Sequence, residues 1–116
     1  MKDRSGRRII NIHRTEFQPY SQEGPVQPDI GWMPLSIDED RNGCYVMRME
    51  PGSETIAHTH AGMEDFLILE GELIDDDGVL FKAGDFVSYQ PGTRHNSRTK
   101  TGCLLIGVDW GKPKAK

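Results

Sequence analysis

Glycine and proline punctuate this chain throughout, 13 and 7 residues of 116, and no stretch between them carries a helical period. Asn42-Gly43, Pro51-Gly52-Ser53, Asp77-Gly78, Lys82-Ala83-Gly84 and Gln90-Pro91-Gly92 each read as a turn, because glycine accepts reversing backbone angles and proline cannot extend a ladder. Between them lie short apolar or alternating runs at 35–37, 44–50, 66–69, 73–74, 79–81, 85–89 and 102–108. Runs of that length suit strands. Strands this short hide their edges best by closing on one another, so the expected architecture is all-β: antiparallel strands in a small barrel with a mouth for a ligand.

The length bounds the chain to one domain. A charged arm, an edge strand at 9–13 and a Pro/Gly/Gln/Ser-rich loop are expected within residues 1–30, the barrel within 31–110, and a basic tail over 111–116. No run approaches the length of a membrane span, and the charged N-terminus has no apolar region behind it, so a cytoplasmic protein that contacts no membrane is expected. With a net charge of −4 and acids spread along the chain, nucleic acid is not an expected partner. Cys44 and Cys103 stand apart in strand-like runs and read as buried free thiols. His13 reads as a surface residue.

Side chains two apart on a strand share a face. That rule sends Tyr45, Met47 and Met49 inward and turns Cys44, Val46, Arg48 and Glu50 away. Phe66 and Ile68, within a continuous apolar run, join Met47 as expected pocket-lining residues. Trp32 and Met33 read as packing against the barrel. Tyr45 and Tyr89 are the candidate proton carriers, catalytic if either stands within hydrogen-bond reach of a substrate. Asp75, Asp76 and Asp77 read as a solvated turn, since no EF-hand spacing follows them.

The residues that carry chemistry lie between two of the turns. His58 and His60 project from one strand face about 6 to 7 Å apart at the backbone, so their imidazoles can converge on one ion. A bend at Ala61-Gly62-Met63 would bring Glu64 to the same point. Two histidines and a carboxylate form a facial set of the kind that holds non-haem iron, with positions left open.

Gly52, His58-Thr59-His60, Glu64 and Gly71 match the spacing of the first motif of the cupin family, and Gly84 to His95, with Pro91-Gly92 ahead of the histidine, resembles the second. Gln90 stands where that second motif usually has its first proline, and Thr99 where asparagine is frequent. The resemblance covers roughly residues 38–109 and implies a single-domain cupin jelly-roll β-barrel of the RmlC-like type. It also implies that His95 completes a set with His58, His60 and Glu64. By alternation Ser97 and Thr99 share the face of His95, which makes Ser97 a further pocket candidate. Residues 49–54, 58–73 and 98–103, with the acidic hairpin, look like the cupin module of zinc-dependent anti-sigma factors and like small cupin dioxygenases of the dihydroxyacetophenone-cleaving type.

Such a set, three imidazoles and one carboxylate, suits a divalent transition metal: iron first, then Zn, Mn, Ni or Cu. The expected activity is an Fe(II)-dependent dioxygenase acting on a small hydroxyketone or diketone. The alternatives are a non-catalytic metal-dependent small-molecule sensor and a Zn or Mn Lewis-acid isomerase or lyase. The expected partners are a small molecule and, from the family resemblance, a second copy of the chain joined through the N-terminal strand.

Overall fold

The structure, a computed structural model, describes residues 6–22, 24–40 and 42–111. Its regular elements are all strands, β1 (Gln18–Tyr20), β2 (Gln27–Ile37), β3 (Gly43–Met49), β4 (His58–Thr59), β5 (Glu64–Asp75), β6 (Leu80–Lys82), β7 (Phe86–Tyr89), β8 (Arg94–His95), β9 (Ser97–Arg98) and β10 (Cys103–Asp109). All pairings are antiparallel. The main sheet runs β1-β2-β3-β10-β5-β6, with β7 and β9 also pairing to β5, while β4 and β8 form a separate ribbon. The expected charged arm and basic tail fall largely on 1–5 and 112–116, outside the described residues.

The sheet curls because β5 turns a corner. Its first half pairs with β10 and β7, and its second half pairs with β6 and β9. The corner is at Gly71, φ +76°, where a Cβ would stand 2.0 Å from the carbonyl oxygen of Gly102. Only glycine meets both demands. The break between the apolar runs at 66–69 and 73–74 is therefore a bend within one long strand rather than a strand end.

Alternation sorts side chains to two sides of this curl. On the concave side Tyr20, Ile30, Trp32, Tyr45, Met47, Met49, Phe66, Ile68, Leu73, Cys103 and Leu105 form the main core. On the convex side Met33, Val46 and Leu104 are buried beneath Ile10, Ile12 and Phe17. Trp32 and Met33 thus fall on opposite faces. Each fully buried large apolar side chain contributes roughly 1.5–3 kcal/mol.

Residues 9–13 form no strand; they cross the outer face, and the first strand of the sheet is β1. Their apolar residues have a better use there, since Ile10 and Ile12 cover a surface that β3 and β10 leave exposed. The absent side chain of Gly31 makes the same cover fit, because a Cβ there would stand 2.8 Å from Phe17 Cβ. β2 ends at Ile37 and β3 begins at Gly43, a wider separation than the Asn42-Gly43 signature predicts. Asp38 organises the connection by accepting from the amides of Asp40 and Asn42, both at 2.9 Å. Cys44 and Cys103 are free thiols, the first half-buried and the second buried, and burial pushes the Cys103 thiol up to about 12.

Candidate metal centre

The strand expected to carry His58 and His60 is only the two residues of β4, with an isolated bridge from Glu54 to Arg98 ahead of it. That is enough to set the site. β4 pairs with β8 so that His58 lies opposite His95, and the His60 amide donates to Thr93 O at 2.8 Å just beyond. The chain then bends at Ala61 and Gly62 and delivers Glu64 as the first residue of β5.

Four side chains from three strands and a loop end converge. His60 Nε2 stands 3.1 Å from His58 Nε2, 3.1 Å from His95 Nε2 and 3.0 Å from Glu64 Oε1. His60 and His95 are buried, and His58 is half-buried.

Hydrogen bonds at the other ring nitrogens decide what these atoms offer. His58 Nδ1 faces the Ile56 carbonyl at 3.0 Å, an acceptor only, so it carries the proton. The Thr93 hydroxyl donates to Gln90 O at 2.8 Å and therefore accepts from His60 Nδ1 at 2.9 Å. His95 Nδ1 donates to the Asp75 carboxylate at 3.1 Å. Each imidazole is thus held with Nδ1 protonated and a lone pair on Nε2. Three lone pairs and a carboxylate oxygen directed at one another repel unless a cation lies among them. Two donors bound at right angles to one ion at about 2.1 Å stand about 3 Å apart, the separation observed here. In donor type and in spacing, the residues fit a divalent transition metal.

Burial depresses the His95 imidazole, and His58 and His60 depress it further against the opposing pull of Asp75, so its neutral, ligating form is favoured. Burial raises the Glu64 carboxyl, but hydrogen bonding and charge from His60, with the hydrogen bond from Tyr45, lower it by more. The Tyr45 hydroxyl donates to Glu64 Oε2 at 2.9 Å. Burial, then the charge of Glu64, holds the Tyr45 phenol well above its ordinary range.

Beside the cluster opens a cavity of about 240 Å³. His58, Glu64 and His95 form part of its wall; Met47, Met49, Phe66, Leu73 and Leu105 give it an apolar interior; and Asp40, Asn42 and Asp109 contribute polar groups. Tyr45, Met47, Phe66 and Ser97 all line it. Ile68 does not, being almost wholly buried in the core packing. Tyr89 is also off the wall, its ring packed 4.2 Å from that of His95 and its hydroxyl donating to Asp75. Thr99 is buried and bonds to Glu72 O. His13 is exposed in a turn apart from the site.

Asp75 is the residue that sequence reasoning missed. The solvated turn is correct for Asp76 and Asp77, which are exposed, but Asp75 is 6% exposed. Its Oδ1 accepts from His95 Nδ1 and from the Asp76 amide, and its Oδ2 accepts from Tyr89. The available signal was alternation: Leu73 faces the core, and Asp75 lies two residues on.

Comparison with known proteins places the family and the fold. A family model described as the ChrR Cupin-like domain matches residues 5–111. The chain belongs to that cupin family. No curated protein matches it. Among solved structures it is similar to an RmlC-like cupin from Ralstonia eutropha (TM-score 0.76, 18% identity, 89% of this chain and 68% of that one). It is also similar to an acetylacetone dioxygenase from Acinetobacter johnsonii (0.71, 15%, 93% and 77%). A third is the Rhodobacter sphaeroides complex of SigE with the anti-sigma ChrR (0.67, 16%, 85% and 50%). At these identities the likeness establishes the fold, an all-β RmlC-like cupin. No helix among the described residues is long and apolar enough to cross a membrane.

Proposed function

We propose that this cupin is an Fe(II)-dependent dioxygenase acting on a small hydroxyketone or diketone. The observation that carries the reading is the convergence of His58, His60, Glu64 and His95 beside a cavity with an apolar interior. An ion held by these four donors would have room for exogenous donors, such as a two-oxygen chelating substrate. Iron held by His58, His60, Glu64 and His95 would supply oxygen activation. The chain's own residues do the rest. Met47, Phe66 and Leu73 give an apolar substrate body a dry place, the three Nδ1 partners hold the imidazoles in one tautomer, and Tyr45 holds Glu64. The reading includes a homodimer, which the cupin resemblance implies, and a cytoplasmic location. A structural neighbour carrying the name acetylacetone dioxygenase lends weight to a diketone.

A Lewis-acid isomerase or lyase has less support, because Tyr45 and Tyr89 both donate to carboxylates and burial holds both phenols protonated. The sensor reading draws on the match to the ChrR Cupin-like domain, ChrR being named an anti-sigma in the Rhodobacter sphaeroides complex. One experiment separates it from the dioxygenase. Protein loaded anaerobically with Fe(II) is mixed with oxygen and each of a panel of hydroxyketones and β-diketones, and oxygen uptake is followed. Uptake with at least one compound, abolished in His60→Ala, is expected. A substrate that binds tightly and is recovered intact with no uptake would favour the sensor, and no uptake across the panel would contradict the dioxygenase.

A further inference from the structure

Tyr45 reaches Glu64 across an intervening strand, and the glycine at position 107 lets it. β10 lies between β3 and β5, and Gly107 is paired with Tyr45 on one side and Phe66 on the other. A Cβ at Gly107 would stand 2.5 Å from Tyr45 Oη and 2.6 Å from Tyr45 Cζ. Its φ lies outside the left-handed region, so this glycine provides space rather than a turn. The phenol occupies that space and places its hydroxyl 2.9 Å from Glu64 Oε2, while Glu64 Oε1 stands 3.0 Å from His60 Nε2 on the side of the nitrogen cluster.

A carboxylate can bind an ion through one oxygen or through both, and the second mode uses an extra coordination position. We propose that Tyr45, accommodated by Gly107, fixes Glu64 as a single-oxygen ligand and so keeps a coordination position open toward the cavity. Tyr45 is then a positioning residue. Its hydroxyl ties down Oε2, and its buried ring, near that of Trp32 at 6.2 Å between centroids, does not swing away. Glu64 and Tyr45 line the same cavity, so the position kept open is one that a small molecule can reach. The proposal rests on the reading of the cluster as a metal site and adds to it a control on how many exogenous donors the ion accepts.

Cobalt(II) tests both without relying on turnover. Wild type, Tyr45→Phe and Gly107→Ala are loaded with Co(II), the metal content is measured, azide is titrated against the cobalt absorption bands, and the cobalt-loaded forms are crystallised. The expected result is about one cobalt per chain throughout. Glu64 binds through one oxygen in the wild type and through both in Tyr45→Phe, and azide binding weakens about tenfold or more in both variants. Tyr45→Phe removes a single oxygen atom and keeps the ring, so it decides the question even if Gly107→Ala does not fold. Azide affinity unaltered in a cobalt-loaded Tyr45→Phe, or two Glu64 oxygens on cobalt in the wild type, would overturn this proposal alone. No cobalt in the wild type would overturn the metal reading and the proposal with it.

Discussion

Asp75 is the first of three consecutive aspartates, and what separates it from the other two is its partners. Asp76 and Asp77 are exposed, whereas Asp75 is buried between His95 Nδ1 and the Tyr89 hydroxyl. A buried carboxylate left without donors is costly, so the pairing with His95 serves both groups. Asp75→Leu should therefore weaken metal binding by about 10- to 100-fold, and Asp75→Asn, which keeps an acceptor for His95 without the charge, should lose less. Competition with a chelator of known affinity measures both. Unchanged affinity in Asp75→Leu, with the fold intact by circular dichroism, would show that His95 needs no partner. At this scale His58, His60 and Glu64 were legible from their spacing, because histidine and glutamate so placed have few other uses, and His95 from the resemblance to the second cupin motif. Asp75 was hidden because an aspartate run beside a glycine has the same composition whether its first member faces water or the core.

β5 joins the fold to the site. One strand of 12 residues carries Glu64 at its start, Phe66 and Ile68 in the core, and Leu73 and Asp75 past the corner. The corner lets a single element supply both a cluster residue and the support for another. Gly71→Ala should be among the more damaging small substitutions in the protein. It adds the strain of a left-handed backbone, about 1–2 kcal/mol, to a collision with a backbone carbonyl that cannot rotate away. A loss of roughly 2–4 kcal/mol is expected, which for a domain of this size is a fall in Tm of about 10 °C or more in a thermal melt. A Tm within about 2 °C of wild type would show that β5 bends without this glycine. The sequence pattern breaks here, between the runs at 66–69 and 73–74, but could not distinguish a bend from an end, because that depends on which strands pair on either side. The same limit explains residues 9–13, whose alternation suits a strand and equally suits a segment covering Val46 and Leu104.

Across the whole molecule, the curl of one sheet produces an outer apolar face closed by the N-terminal segment and an inner face that is part core and part cavity. The inward orientation of Tyr45, Met47 and Met49 follows directly from alternation, and all three stand on the cavity wall. Ile68 shows where that reasoning stops. It shares the inward orientation of Phe66, but a bulge opposite Leu104 and Leu105 follows it, and it lies in the packed core away from the cavity wall. Periodicity gives the face of a strand, not the depth at which packing ends and open space begins. Where the cavity meets the cluster, His58, His60, Glu64 and His95 form a group that could hold one metal ion. The most direct test is elemental analysis of protein purified without added metal or chelator, with His60→Ala prepared in parallel. About one transition-metal ion per chain in the wild type and almost none in the variant is the expected result. Equal metal in the two, or none in a folded wild type after incubation with Fe(II), Zn(II) and Mn(II) in turn, would contradict it.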